Sequence, residues 1–155
     1  MMTETILKKI ILTNIPNYYV TDENCENLYY KALANGIPRV LIGPSSMRSA
    51  EEFAARGVKT GVSIAYPSGT VCPELKAQEI RDCEAESKIA DMYFVTVAVG
   101  YFMSGHEENL AQEARLCKKA SDKPVYLIIE AAKMPDEYLE KLCRTAKKEE
   151  IKGIL

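Results

Sequence analysis

Glu130 and Lys133 stand at an i, i+3 spacing just beyond the apolar run Val125-Tyr126-Leu127-Ile128-Ile129. A carboxylate and an amine so placed can exchange a proton, the work of a general acid–base pair; the same spacing equally describes a scaffold glutamate beside a solvated lysine. Ser68 and Gly69, after Tyr66-Pro67, either offer backbone amides to an anion or form a plain turn. Thr96 alternates with Val95 and Val97, so its hydroxyl either lines an interior or bonds a strand carbonyl. Cys72 precedes Pro73 at a helix start, where a dipole can lower a thiol pKa, although an ordinary thiol fits as well. His106, the single histidine, follows Gly105 at a helix start and is expected to be exposed.

Those residues sit in a chain of 155 residues with 47% hydrophobic and 27% charged residues, the profile of one ordinary globular domain. The net charge of -2 supplies no basic field for a phosphate backbone, which disfavours nucleic acid. Thr3 and Glu4 precede the first lysines, and Ile10 to Leu12 is the only nearby apolar run. That is neither a signal peptide nor a span, so a cytoplasmic protein without membrane attachment is expected. Five cysteines include no Cys-x-x-Cys pair, which argues for reduced thiols and against a zinc site or a disulfide framework. Cys25, Cys117 and Cys143 fall on apolar helical faces and read as small buried hydrophobes. No metal and no cofactor is expected.

The positioning elements alternate. Met92 to Val99, inside the stretch Ala90 to His106, is a nearly continuous apolar run of the kind that forms a central parallel strand buried on both faces. Gly100 to Gly105 reads as the loop at its carboxyl end. Lys9–Asn14, Arg39–Ile42, Val58–Ala65 and Val125–Glu130 read as further strands. Helices are expected from Thr21 to Gly36, Met47 to Arg56, Pro73 to about Lys88, Glu107 to about Ser121, and from Pro135 onward. Gly153-Ile154-Leu155 looks like a sixth strand beginning. Tyr18, Tyr19, Tyr29 and Tyr30 form two adjacent pairs that read as core and rim packing.

The result is a parallel α/β chain, one domain over 1–155, of about five βα units plus the start of a sixth strand. Two architectures use that pattern. A doubly wound open sheet would be complete at this length, whereas a (β/α)8 barrel typically needs ~250 residues. Asn14-Ile15-Pro16-Asn17, after the first strand, lacks the glycines of a dinucleotide fingerprint.

The run Gly57-Val58-Lys59, Val62, Ile64, Tyr66-Pro67 and Gly69, followed by Glu74, Lys76 and Glu79, resembles the third-strand region of the deoxyribose-phosphate aldolase family. There a Val-Lys-Val strand ends in Phe-Pro-x-Gly before a helix with a similar Glu-x-Lys. Ala90-Asp91, Met103-Ser104-Gly105, Ile128-Ile129-Glu130 and Asp136-Glu137 fall at the family's spacings, and Lys31-Ala32, Gly36 and Pro44 match more loosely. The resemblance implies a TIM-barrel-type fold and a Schiff-base carbon–carbon lyase acting on a phosphorylated sugar or aldehyde.

Carried over position by position, much of that machinery is changed. The family's fourth-strand aspartate falls on Phe94, its fifth-strand lysine on Tyr126 and a first-strand acidic position on Leu12. Counted without gaps, the Schiff-base lysine would come directly after Leu155; with a four-residue deletion in the last helix it would be Lys152. The expectation is therefore a fragment or a divergent member of the family, with a non-catalytic sugar-phosphate-binding or assembly role as the alternative. The sites to examine are Lys152, Glu130 and Lys133 for chemistry, and Thr96, Tyr126 and Ser68 for substrate. Five βα units leave sheet edges open, so self-association or a covering partner chain is also expected.

Overall fold

A computed structural model describes residues 6–17, 19–54 and 56–155. Thr3, Glu4, Tyr18 and the Ala55 position of the expected 47–56 helix lie outside the described residues. Among the described residues the strands are β1 (Leu12–Thr13), β2 (Arg39–Ile42), β3 (Lys59–Ile64), β4 (Ala90–Thr96) and β5 (Val125–Ile128). Among the described residues the helices that alternate with them are α1 (Asp22–Ala34), α2 (Met47–Ala54), α3 (Pro73–Glu86), α4 (Val99–Met103), α5 (Glu107–Ala120) and α6 (Asp136–Lys148). The sheet runs β1-β2-β3-β4-β5 in chain order. A doubly wound sheet reverses its strand order at a switch point, so this order overturns the open-sheet alternative in favour of the barrel-type repeat.

The chain divides into two compact units. The first runs up to Ser63 and includes Glu86–Asp91. Here β2 pairs in parallel with β1, Leu12 opposite Val40, and with β3, Val40 opposite Thr60. Strand β1 is far shorter than the expected Lys9–Asn14, because Lys9 and Ile10 donate their N–H groups to Ile6 and Leu7 in a turn. Helix α1 opens on Thr21, whose hydroxyl accepts from the Asn24 N–H while the Asn24 side chain accepts from the Thr21 N–H. This reciprocal cap is worth about 1 kcal/mol. Cys25, Leu28, Tyr29 and Ala32 of α1 are buried. The Tyr29 hydroxyl meets Thr60 Oγ1 at 2.6 Å, and Asp91 accepts the Thr60 N–H at 2.8 Å. Tyr30 lies at the rim with Arg56 over its ring at 4.9 Å, and Tyr19 is exposed.

The second unit comprises Ile64–Ala85 and Met92–Leu155. Strand β4 pairs in parallel with β5, Phe94 opposite Tyr126 and Thr96 opposite Ile128. Phe94 and Val95 are wholly buried, as an interior strand requires. On α5, Leu110, Ala114 and Cys117 are buried; on α6, Leu142 and Ala146 are. Cys143, expected beside them, is exposed instead, one position round the helix from Leu142.

Strand β4 ends at Thr96, short of Val99, and the expected loop over 100–105 contains helix α4. Gly100 and Ser104 look like breakers, yet the Ser104 hydroxyl donates to the Gly100 carbonyl at 2.8 Å and Phe102 anchors the turn at 2% exposure. Strand β5 likewise ends at Ile128, and Glu130 leads into a 3₁₀ turn over Ala131–Lys133. Beyond α6 the chain returns beside β5. Lys152 N–H donates to the Val125 carbonyl, Leu127 N–H to Gly153, Leu155 N–H to Leu127, and Ile129 N–H to Leu155. A parallel bridge joins Leu127 and Ile154, so the last residues do begin a sixth strand.

Candidate functional site

The carboxyl ends of β4 and β5 and the turn after Ile64 gather in the second unit, around a cavity of about 560 Å³. That turn is built to a fixed shape. Ala65 holds a left-handed φ of 56°, unusual for a residue with a Cβ, and donates its N–H to Glu79 Oε2 at 3.0 Å. Burial pushes the Glu79 carboxyl up, and the Ala65 N–H opposes that shift. The Tyr66–Pro67 peptide is cis, and the Gly69 N–H closes the turn onto the Ala65 carbonyl at 2.8 Å. Gly69 has φ +65°, and a Cβ there would sit 2.7 Å from the Val97 carbonyl carbon and oxygen and against the Thr96 carbonyl. The Pro-x-Gly motif is thus required by close approach of this turn to the end of β4.

Strand β4 is clamped at the same point. Lys76, wholly buried on α3, donates from Nζ to the Thr96 carbonyl at 2.7 Å and to Glu113 Oε2 of α5 at 2.5 Å. Burial raises the pKa of Glu113, and the Lys76 ammonium works against that rise. Neither residue was expected at the site. Both interrupt apolar stripes, Lys76 with Ala77, Ile80 and Cys83, and Glu113 with Leu110, Ala114 and Cys117. A charge inside such a stripe is the one sign in the sequence that it must find a buried partner.

Of the residues singled out from the sequence, Ser68, Thr96, Glu130 and Lys133 all line the cavity, joined by Tyr66. Thr96 is 5% exposed, and among the described residues no group bonds its Oγ1. Glu130 and Lys133 form an ion pair at 2.5 Å, both side chains well exposed. The hydrogen bond that Lys133 donates to Glu130 raises the Lys133 pKa, which keeps that amine an ammonium. Tyr126 is not in the lining. Its ring stacks on Phe94 at 4.8 Å and 16°, and its other neighbour is Gly153, where a Cβ would lie 3.1 Å from the ring. Lys152 is exposed and opposite Val125, away from the cavity lining. His106 is exposed at the start of α5, and Cys72 is exposed. Among the described residues, no group of three His, Cys, Asp or Glu side chains is placed to hold a metal ion, and no helix is long and apolar enough to cross a membrane.

A parallel sheet in chain order, a helix after each strand and polar groups collected at strand exits define a (β/α) chain of the TIM-barrel type. Within that class the chain is similar in sequence to deoxyribose-phosphate aldolases. It is 29% identical over 140 residues to the enzyme of Streptococcus suis (strain 98HAH33), covering 89% of this chain and 63% of the relative. To that of Kocuria rhizophila it is 27% identical over 128 residues, covering 81% and 56%. The chain thus spans about 63% of the length of the Streptococcus suis relative. No family model matches it.

Solved structures agree on the fold. The aldolase QR15 superposes with a TM-score of 0.85 at 17% identity, covering 96% of this chain and 66% of that one. A tetrameric deoxyribose phosphate aldolase from Aeropyrum pernix gives 0.74 at 19% identity, covering 99% and 65%.

Proposed function

We propose that this chain is an aldolase-like protein whose cavity at the strand exits binds a small phosphorylated sugar or aldehyde. The observation that carries the reading is Thr96, whose buried hydroxyl has no hydrogen-bond partner among the described residues and whose side chain lines a cavity that also holds Ser68 and the Glu130–Lys133 pair. A hydroxyl-rich substrate would satisfy Thr96 and Ser68, and the Lys133 ammonium would meet a phosphate. Deoxyribose 5-phosphate should raise the melting temperature saturably, since a ligand that binds only the folded state stabilises it by mass action. Thr96→Val should remove most of that shift. No shift at millimolar ligand would sink the reading.

Chemistry is a separate question from binding. A Schiff base forms when a neutral amine attacks the carbonyl carbon and water leaves, which requires an amine of depressed pKa. Lys133 is shifted the opposite way, and by the resemblance the family's fourth-strand aspartate falls on Phe94 and its fifth-strand lysine on Tyr126. A second reading, a Schiff-base lyase with Lys152 as the amine, is supported by the place of Lys152 on the segment beside β5. Borohydride adds hydride to a carbon–nitrogen double bond and leaves a stable secondary amine. Intact mass after treatment with borohydride and acetaldehyde therefore decides: an adduct mapped to Lys152 supports the lyase, and none leaves binding alone.

The same reading includes assembly. Ile154 and Leu155, beside β5, are 36% and 46% exposed, and exposed apolar groups favour pairing with a second copy or a partner chain. Sedimentation should find self-association; a monodisperse monomer at micromolar concentration counts against it.

A further inference from the structure

A second cavity, about 430 Å³, shares Val97 and Gly100 with the first but is lined otherwise by the start of α3, by α4 and by α5. Its rim is apolar and aromatic: Val71 and Tyr101 are 41% and 49% exposed, and the Tyr101 ring stacks on His106 at 4.2 Å. Val97, Phe102 and Leu110 are buried in its wall. Glu113, 4% exposed, also lines it. One of its carboxylate oxygens takes the Lys76 ammonium at 2.5 Å; among the described residues nothing donates to the other, Oε1, which is shielded from solvent.

We infer that this cavity is a binding site for a small neutral molecule with a flat apolar body and a single hydroxyl or N–H donor, the donor bonding Glu113 Oε1. The charge balance selects against ions. Lys76 and Glu113 already offset one another, so a cation would leave a buried charge without a counterion and an anion would meet a carboxylate. A buried acceptor without a donor is unfavourable, and a ligand that supplies one recovers the loss. The stacked Tyr101–His106 face suits a planar ring at the mouth. This site is distinct from the sugar-phosphate cavity and does not rest on the proposed function.

Cys72, exposed and part of the lining, provides a reporter, and the exposed Cys143 on α6 an internal control. The intact chain is treated with limiting iodoacetamide in rising phenol or rising toluene, two rings of similar size differing in the donor, and alkylation at each cysteine is read by peptide mass spectrometry. Phenol should slow Cys72 alkylation saturably, at a half-saturating concentration about tenfold below that of toluene, with Cys143 unchanged. Ala98→Leu, which fills the lining, should abolish the protection while the far-ultraviolet circular dichroism is kept. Equal protection by the two rings, no saturable protection, or equal slowing at Cys143 overturns the proposal. Should Ala98→Leu fail to fold, the comparison of phenol with toluene on the unaltered chain decides.

Discussion

Replacing Lys76 by methionine keeps the length of the side chain and removes its charge. In the native fold the Lys76 ammonium is completely enclosed, the Glu113 side chain is 6% exposed, and the same ammonium bonds the Thr96 carbonyl. Lys76→Met therefore leaves a buried carboxylate without a counterion and a strand-end carbonyl without a donor. Breaking a buried pair from one side costs about 3–5 kcal/mol. For a chain of this size each kcal/mol moves the melting temperature by about 2–4 °C, so the expected drop is about 6–20 °C.

Removing both charges behaves differently, because the desolvation cost of each ion disappears together with their attraction. Lys76→Met with Glu113→Leu should recover most of the loss, and such replacements are often neutral or stabilising. The pH dependence gives a further check. Burial already raises the Glu113 pKa, and loss of Lys76 raises it more, above the unfolded value of about 4.3. A raised carboxyl penalises the folded state at high pH and is relieved as the group protonates. The deficit of the single variant in urea unfolding should thus be larger at pH 8 than at pH 5. A single variant within about 1 kcal/mol of the parent at pH 8, or a double variant as unstable as the single, would refute the account of the pair as a buried clamp.

Gly36 and Gly69 share nearly the same left-handed φ, +63° and +65°, but a Cβ at Gly36 meets nothing within 4 Å. Gly36→Ala should cost about 1–2 kcal/mol by denaturant unfolding; Gly69→Ala, which drives a methyl into the Thr96–Val97 backbone, should cost clearly more. Equal costs would mean that the turn shifts freely. Arg115 pairs with Glu149 at 2.8 Å and holds that carboxyl below its usual range. The pair's contribution is present above the unfolded pKa of about 4.3 and is lost as pH falls through the lower folded value. The stability gap between the parent and Arg115→Gln should therefore close in acid. Phe94→Asp buries a carboxylate against the Tyr126 ring and should destabilise by about 3–5 kcal/mol; adding Tyr126→Lys should recover part of that, measurable as a coupling in a double-mutant cycle.

The alternation of strand and helix was legible because buried parallel strands are written as uninterrupted apolar runs. Met92 to Thr96 and Val125 to Ile128 could be read directly, and so could the caps at Thr21 and Gly36. Strand ends were less legible, since where pairing stops depends on which backbone groups find other partners. Lys9 and Ile10 spend their N–H groups in a turn, and the chain after Thr96 spends its own in α4. Cys143 and Leu142 are adjacent in sequence, and only packing decides which of them turns inward.

The cavity was half legible for a related reason. Ser68, Glu130 and Lys133 stood out because they follow apolar runs, and Thr96 as a hydroxyl between Val95 and Val97; parallel strands bring such ends together. The groups that hold those ends in place are not at strand ends at all. Glu79 reaches the Ala65 N–H from within α3, and Lys76 reaches from the same helix to the Thr96 carbonyl and to Glu113 on α5. Their presence is written in the sequence as charges within apolar stripes, but their pairing depends on the packing of α3 and α5 against β4. Phe94 and Tyr126 face each other across β4 and β5, where stacked rings fill the space between adjacent strands and need no counterion. The clamp at Lys76 and the close approach at Gly69 hold the strand end that lines the cavity, and neither depends on an amine reacting there.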